Sequence, residues 1–446
     1  MPGYSPFMPR LTSGIAVAFV LAAGCSSSDE SSANTTPLSS STSMVTATSA
    51  EPAETTAPAT TAAPSIADTP AIAALRRDVE MLASDEMKGR NNSTAESVLA
   101  QDYLIAQLKG FAGPLVAGAT GDDAYRQKFP SGANLLAVIP GSDLADQYVI
   151  VGAHYDHVGY SDQPGNYCDG GSSSDLICNG ATDNATGVAA ALAIGRSIAA
   201  DNSPPRRSVI IALWDAEEDG LLGSKAYLAN PLVPIGSTIA YVNFDIQGAN
   251  ISPAIRNSTV MVGAETGGPN LIAAAVKAAS ASSLDTVAFS LLFGQGRSDH
   301  ANFVAAGVPS VFFTDATPPC YHTVGDDASI VDYPKLEQQV VTAEGLTRDL
   351  MSTDVVPVYD PLAPPATFAD AASMLSIITR AQADFGRFSA QEQAASDQFV
   401  TDLQAIVDAG AANFDDTDVG TLLSGALGIV TAWESGTCDG FLDATG

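Results

Sequence analysis

Short apolar runs alternate with amphipathic stretches along the central part of the chain. The runs have the length and the β-branched residues typical of buried strands, and they cover 134–139, 148–151, 208–214, 239–244, 260–262 and 310–313. Apolar residues at helical spacing fill the intervals, at 186–200, 220–230, 269–282, 300–306 and 333–351. Strand and helix therefore alternate, which predicts an α/β fold with a mostly parallel mixed sheet and helices on both faces.

Helical patterns flank the predicted sheet on both sides. One pattern runs from 69 to 111, before the first strand. A proline-rich break at 357–365 follows the last predicted helix of the sheet, and helical spacing then resumes over 368–388 and 392–409. We therefore predict a sheet domain at 69–355 and a helical C-terminal extension at 366–446.

The first 68 residues have a different composition. Arg10, an apolar run and Cys25 predict a targeting segment at 1–25. The residues around Cys25 resemble a bacterial lipoprotein cleavage site, but Ala22 stands where that pattern prefers Leu, so an ordinary secretory signal stays open. Residues 26–68 are mainly Ser, Thr, Ala and Pro, which predicts a disordered linker. We expect an exported protein, either extracellular or lipid-anchored through Cys25 to the outer face of a bacterial membrane.

Charge and cysteine content narrow the function classes. The net charge is −31 over 446 residues, which argues against nucleic-acid binding because such binding needs a basic surface. Four cysteines remain beside Cys25, and an even number in an exported chain predicts two disulfides. The sequence permits three pairings. The short separation of Cys168 and Cys178 favours a bond between them, which would leave Cys320 for Cys438.

Five segments carry acids or imidazoles at predicted strand ends or in front of a predicted helix. Three of the four histidines of the chain lie in these segments. In open α/β sheets, ligands bind beyond the carboxyl ends of the strands, so we expect the segments to converge there. Two histidines and three carboxylates are a suitable ligand set for a pair of zinc ions. The segments are Gly152–His157, Thr182–Gly187, Asp215–Gly220, Asn243–Gln247 and Cys320–Thr323.

The order, spacing and flanking glycines of these segments, from Met81 to Asp327, resemble the secreted di-zinc aminopeptidase family. Aminopeptidase S and aminopeptidase Y are members of it, and glutamate carboxypeptidase II is a more distant relative. The resemblance implies a zinc-exopeptidase-like fold and two Zn²⁺ ions as cofactors. It also implies an exported metallo-aminopeptidase that hydrolyses the N-terminal residue of peptides through a zinc-bridged hydroxide. We expect peptides with a free N-terminus as substrates, and a monomeric protein.

The same resemblance assigns the metal ligands. It implies that His154 and Asp245 bind one zinc ion. Glu218 and His322 would bind the other, and Asp183 would bridge the two. The peptide bond after Asp183 is expected to be cis, as it is in the family.

Further roles follow from the resemblance. Glu217, next to the ligand Glu218, would be the general base. Asp156 would orient the ring of His154. Tyr321 would stabilise the oxyanion that forms from the scissile carbonyl, with a plain aromatic wall as the alternative role. All ligand positions are filled without His157, so we expect it either to be a packing residue or to lie at the rim.

Three other functions stay open as alternatives. A carboxypeptidase-like member of the family would need a basic residue for the substrate carboxylate, and Arg297 is the only candidate near the motifs. A glutaminyl-cyclase-like member would need only one zinc ion. A non-catalytic binding protein would not need the complete set of ligands and base that this chain retains.

Overall fold

A computed structural model describes residues 68–161, 167–169, 175–436 and 438. The predicted targeting segment and nearly all of the predicted linker therefore lie outside the described residues. Among the helices that are described, none is both long enough and apolar enough to cross a membrane.

One mixed sheet contains all nine strands of the described residues. The strands are β1 (Gly113–Pro114), β2 (Arg126–Phe129), β3 (Gly132–Ile139), β4 (Leu144–His154), β5 (Arg207–Trp214), β6 (Thr238–Phe244), β7 (Ser258–Val262), β8 (Asp285–Phe289) and β9 (Ser310–Thr314). Their order is β1-β3-β5-β4-β6-β9-β7-β8, with β2 also paired to β3. The four central strands, β5, β4, β6 and β9, are parallel, so their carboxyl ends share one edge of the sheet.

Helices cover both faces of the sheet, as predicted. They are α1 (Pro70–Leu82), α2 (Ala95–Lys109), α3 (Thr186–Ala199), α4 (Leu222–Ala229), α5 (Gly268–Ala279), α6 (His300–Ala305), α7 (Tyr333–Ser352), α8 (Phe368–Ala381), α9 (Ala390–Ala409) and α10 (Asp416–Glu434). Neighbouring residues of a strand point to opposite faces. Val149 and Val151 of β4 accordingly join the apolar cluster that contains α1, α3, α5 and α7, whereas Ile150 joins the cluster that contains α4 and α6.

The N-terminal helical pattern is divided into two helices by a turn. The hydroxyl of Thr69 caps α1 by accepting from the backbone N–H of Ile72 at 3.0 Å. The hydroxyl of Thr94 caps α2 in the same way, accepting from the N–H of Ser97 at 3.1 Å. Such caps satisfy N–H groups that have no partner inside the helix, and they fix where each helix begins.

The C-terminal extension packs on the sheet domain. Its helices α8, α9 and α10 form an apolar cluster around Phe399 and Trp433, and the cluster includes Ile255 and Val287 of the sheet domain. Disulfides join Cys168 to Cys178 and Cys320 to Cys438, which confirms the favoured pairing. The second bond ties the end of the extension to the loop after β9.

Helix α10 was missed by the sequence pattern. It begins with a capping box, in which the carboxylate of Asp415 accepts from the N–H of Thr417 at 2.8 Å and of Asp418 at 3.3 Å. The carboxylate of Asp418 accepts from the N–H of Asp415 in return, at 3.1 Å. Acidic residues in the first turn also favour a helix electrostatically, so this acidic run marks the helix start.

Candidate metal centre

The central strands bring the predicted site residues to one edge of the sheet. His154 is the last residue of β4, Asp245 follows β6 directly, and Glu217 and Glu218 lie in the turn after β5. Ala216 has a φ of 55°, in the left-handed region, so the chain leaves the extended conformation just before the two glutamates. This turn allows both glutamates to face the same site.

Two groups of metal-ligand atoms form at this edge. In each group the atoms lie within 4.8 Å of one another. All five predicted metal ligands are brought together there, and so is the predicted base. The first group is His154, Glu217 and Asp245, and the second is His157, Asp183, Glu218 and His322.

Asp183 directs one carboxylate oxygen to each group. Its Oδ1 lies 3.4 Å from Nε2 of His154, and its Oδ2 lies 3.2 Å from Nε2 of His322. Nε2 of His154 also lies 3.3 Å from Oδ1 of Asp245, and Nε2 of His322 lies 3.0 Å from Oε2 of Glu218. Tetrahedral zinc with ligands at about 2.0–2.1 Å places those ligand atoms about 3.3 Å apart. The spacing and the donor types therefore fit a zinc ion in each group.

The unpaired imidazole nitrogens support this assignment. Among the described residues, no hydrogen-bond partner reaches the buried Nε2 atoms of His154 and His322. Buried polar atoms of proteins are nearly always hydrogen-bonded, and a nitrogen without a partner often marks a missing ion or water. Both nitrogens point at carboxylates with which they could share a metal ion.

The loop that carries Asp183 is held by hydrogen bonds and a close approach. The Asp183–Asn184 peptide bond is cis, as the resemblance predicted. The buried carboxylate of Asp326 accepts from the N–H of Thr182 at 2.9 Å and of Asp183 at 3.0 Å. A Cβ atom at Gly187 would overlap the amide oxygen of Asn184, so this position needs glycine.

Asp156 contacts both the turn that carries the two glutamates and the ring of His154. Its carboxylate accepts from the N–H of Glu217 at 3.1 Å and of Glu218 at 3.2 Å. Nδ1 of His154 lies 3.1 Å from the backbone carbonyl oxygen of Asp156 and 3.6 Å from its carboxylate. The residue thus supports the glutamate turn with its side chain and faces the histidine with its main chain.

His157 packs in the interior, which is one of the two places expected for it, and not at the rim. It is fully buried, with Nδ1 at 2.9 Å from Oε1 of Glu218 and at 3.8 Å from Oδ2 of Asp183. A Cβ atom at Gly180 would overlap its ring, so the glycine makes room for the imidazole. The available sequence signal was the His-x-x-His spacing from His154. The direction of the second ring depends on the loop fold, which that spacing does not specify.

Arg90 is a second residue that the sequence motifs did not indicate. It is fully buried, and its guanidinium donates to the carbonyl oxygens of Tyr155 at 2.7 Å, Asn179 at 2.6 Å and Gly180 at 2.7 Å. Burial lowers its pKa to about 10, so the side chain is still charged at neutral pH. The arginine therefore joins the loop after β4 to the loop that carries Asp183.

The carboxylates at this edge have opposite pKa shifts. Burial raises the pKa of Glu217 well above its usual value, and the charges of Asp245 and Glu218 raise it further, against the effect of His154. Burial also tends to raise the pKa of Asp183, but contacts with two imidazoles outweigh it and hold that pKa well below normal. Glu217 is suited to accept a proton, and Asp183 is suited to stay ionised.

A cavity of about 90 Å³ adjoins the two groups. Tyr321 lines it and stacks on the ring of His322, with the ring centres 3.8 Å apart. Arg297 also lines it and lies over the ring of Tyr321, at 5.5 Å. A larger groove of about 830 Å³ runs between α9 and α10, but none of its lining residues belongs to the two groups. The chemistry, and not the volume, therefore locates the site.

The fold and the site together define a class of protein. Histidine and carboxylate side chains that lie together beyond the carboxyl ends of parallel strands are suited to bind zinc. Residues 134–343, just under half of the chain, match the sequence profile of Peptidase family M28. The chain thus carries the domain of a zinc-dependent peptidase.

Several known proteins are similar to parts of the chain. A probable glutamate carboxypeptidase of Arabidopsis thaliana is 30% identical over 205 residues, which are 43% of this chain and 26% of the relative. A vacuolar membrane protease of Pyrenophora tritici-repentis is 28% identical over 190 residues, or 40% of this chain and 18% of the relative. The chain thus spans about a quarter of the length of the first and less than a fifth of the second.

Solved structures also resemble the fold at low identity. A leucine aminopeptidase precursor from Bacteroides thetaiotaomicron is 19% identical, with a TM-score of 0.47. The match covers 62% of this chain and 96% of the precursor. LapB from Legionella pneumophila is 17% identical, with a TM-score of 0.49. The match covers 63% of this chain and 72% of LapB.

Proposed function

We propose that the protein is an exported metallo-aminopeptidase that uses two zinc ions to hydrolyse the N-terminal residue of peptides. The observation that carries the proposal is the position of Asp183. Its two carboxylate oxygens face different histidines, His154 and His322, at 3.4 Å and 3.2 Å. A carboxylate shared in this way is what a pair of closely spaced cations needs as a bridge.

In the proposed site the ligands divide between two metal positions. His154 and Asp245 would hold one zinc ion, Glu218 and His322 would hold the other, and Asp183 would contact both. When bound, two zinc ions lower the pKa of water and polarise a carbonyl group. The burial of the site excludes bulk water and strengthens these electrostatic effects.

Glu217 is proposed as the general base. It lies in the group with His154 and Asp245, it is 8% exposed, and its pKa is raised by burial. Its carboxylate would take a proton from the attacking water and pass it to the leaving amine. Asp156 would hold the backbone of the glutamate turn in place. The phenol of Tyr321, in the cavity wall, would donate to the oxyanion.

The charged residues of the cavity bear on the choice between an aminopeptidase and a carboxypeptidase. Four carboxylates line it, those of Asp183, Glu217, Glu218 and Asp245. Among the described residues of its lining, Arg297 is the one basic side chain, and it forms an ion pair with Glu434 at 3.4 Å. Three of the four carboxylates are proposed zinc ligands, so two bound zinc ions would offset their charge. A substrate carboxylate would then depend on Arg297, whose guanidinium is already paired with Glu434. The aminopeptidase is therefore favoured over the carboxypeptidase.

We further propose the division of the chain into a targeting segment at 1–25, a linker at 26–68, a peptidase domain at 69–355 and a helical extension at 366–446. Two disulfides support the export part of this proposal, because such bonds persist in oxidising compartments.

The test is zinc content together with hydrolysis of free and N-acetylated amino-acyl amides, before and after chelation. We expect two zinc ions per chain and cleavage that needs the free amine. Activity should vanish on chelation and return with zinc. Glu217→Gln should keep the zinc and lose activity by about 10²–10⁴-fold, since it removes the base but not a metal ligand. The matched control is Asp219→Asn, an exposed carboxylate in the same turn, which should stay active.

Each alternative has its own outcome in this test. Cleavage of N-blocked peptides with a free carboxylate would identify a carboxypeptidase with Arg297 as its anion site. Release of ammonia from peptides with an N-terminal glutamine would identify a cyclase. Bound zinc without turnover of any substrate would leave a binding protein, and full activity of Glu217→Gln would contradict its assignment as the base.

A further inference from the structure

The cavity beside the metal groups is completed by the C-terminal extension. The lining of the cavity includes the apolar side chains of Ile246, Phe293 and Phe312, from the sheet domain, and of Val430. Val430 belongs to α10, which lies outside the part of the chain that matches the peptidase family. One wall of the cavity therefore comes from a segment that follows the family domain.

Three links hold this wall in place. Glu434, one helical turn after Val430, pairs with Arg297 at 3.4 Å and accepts a hydrogen bond from the hydroxyl of Thr317. The disulfide Cys320–Cys438 joins the end of the extension to the residue before Tyr321. The extension is thus attached directly to the loop that carries His322, and α10 has a defined position relative to the metal groups.

We infer that α10 limits which apolar side chain the site accepts, with Val430 as the residue that sets the size. This inference rests on the proposed aminopeptidase function. The cavity has a volume of about 90 Å³, and a cavity of limited volume restricts the size of the apolar side chain that it can admit. One methylene group in an apolar pocket changes discrimination by about tenfold or more. A change in the size of residue 430 should therefore change the preference of the site.

The experiment compares Val430→Ala and Val430→Phe with the wild-type chain. Binding of alanine hydroxamate and phenylalanine hydroxamate is measured by calorimetry, and kcat/KM is measured on the matching amino-acyl amides. Val430→Ala should favour the phenylalanine compounds about tenfold relative to alanine, and Val430→Phe should disfavour them by a similar factor. Zinc content should be unchanged in both variants, because the side chain of Val430 has no metal-binding atom.

Leu427→Ala is the matched control, since Leu427 lies one turn earlier on α10 and is 40% exposed. It should leave the preference unchanged. The inference is overturned if both Val430 variants keep the wild-type preference for hydroxamate binding, or if Leu427→Ala shifts it equally. A wild-type chain that binds the hydroxamates but cleaves no amide would refute the proposed aminopeptidase instead. The two failures are therefore distinguishable.

Discussion

Nδ1 of His157 lies 2.9 Å from Oε1 of Glu218, while the other carboxylate oxygen of Glu218 lies 3.0 Å from Nε2 of His322. Each oxygen of Glu218 therefore faces a different imidazole. A hydrogen bond donated by Nδ1 would hold the first oxygen and leave the second for a metal ion. Such partners orient metal ligands and strengthen metal binding.

Replacing His157 should weaken one metal position. We expect His157→Ala to lower the affinity for one zinc equivalent by about 10- to 100-fold, since Glu218 loses its orienting contact. His157→Asn should retain most of the affinity, because its amide nitrogen can replace Nδ1 as donor. Competition with a chelator of known affinity measures both variants. Wild-type affinity for two zinc ions in His157→Ala would refute the orienting role.

Asp183→Ala should lose at least one zinc equivalent. The carboxylate contacts both groups, and its removal leaves each with fewer ligands. Zinc content after dialysis measures the loss, and Asp219→Ala, in the exposed part of the glutamate turn, serves as the control that keeps both ions. A variant that still holds two zinc ions tightly would show that Asp183 is not a bridge.

Arg90→Lys should destabilise the protein. The planar guanidinium of Arg90 donates to several backbone carbonyl oxygens at once, and the ammonium group of lysine cannot reproduce this geometry. At least one of these buried carbonyl oxygens would therefore lose its hydrogen bond. We expect a loss of about 2–4 kcal/mol in the free energy of unfolding, measured by urea denaturation. Arg76→Lys is the control, because the side chain of Arg76 is 37% exposed and its ion pair with Asp68 contributes little. Equal stability of the two variants would contradict the structural role of Arg90.

His300 should make stability depend on pH. Its buried ring stacks on Phe312 at 4.4 Å, and burial lowers its pKa to about 3. In the unfolded chain the histidine has a pKa of about 6.5, so it binds a proton there more readily than in the folded protein. The neutral, buried ring of His300 therefore contributes fully to stability above about pH 6.5, and this contribution is lost as the pH falls toward 3. The loss between pH 7 and pH 5 is about 2 kcal/mol.

His300→Leu should remove this part of the pH dependence. Leucine does not titrate, and neither ring nitrogen of His300 has a hydrogen-bond partner among the described residues. Urea denaturation of both proteins at pH 7 and pH 5 gives the difference, since other groups titrate in both. Equal losses in the two proteins would contradict the prediction.

Much of the architecture follows from local patterns. The central strands were predictable because a strand buried on both faces is a continuous apolar run, as in 208–214. Helix α10 was not, because its three glycines, Gly420, Gly425 and Gly428, lower its helix propensity. A Cβ atom at Gly425 would overlap the ring of Phe399 in α9. Gly425 lowers the helix propensity of α10, but the packing of α10 against α9 requires a glycine at this position.

The amino-acid sequence by itself determined which imidazole and carboxylate side chains lie at one edge of the sheet. Parallel strands end at the same edge, and each motif follows such a strand or precedes the helix beside it. Tertiary structure decided the rest. It turned His157 toward Glu218, placed Arg90 between two loops and set Val430 in the cavity wall. These contacts join residues far apart in the chain, and no local periodicity records which distant partner a side chain will meet.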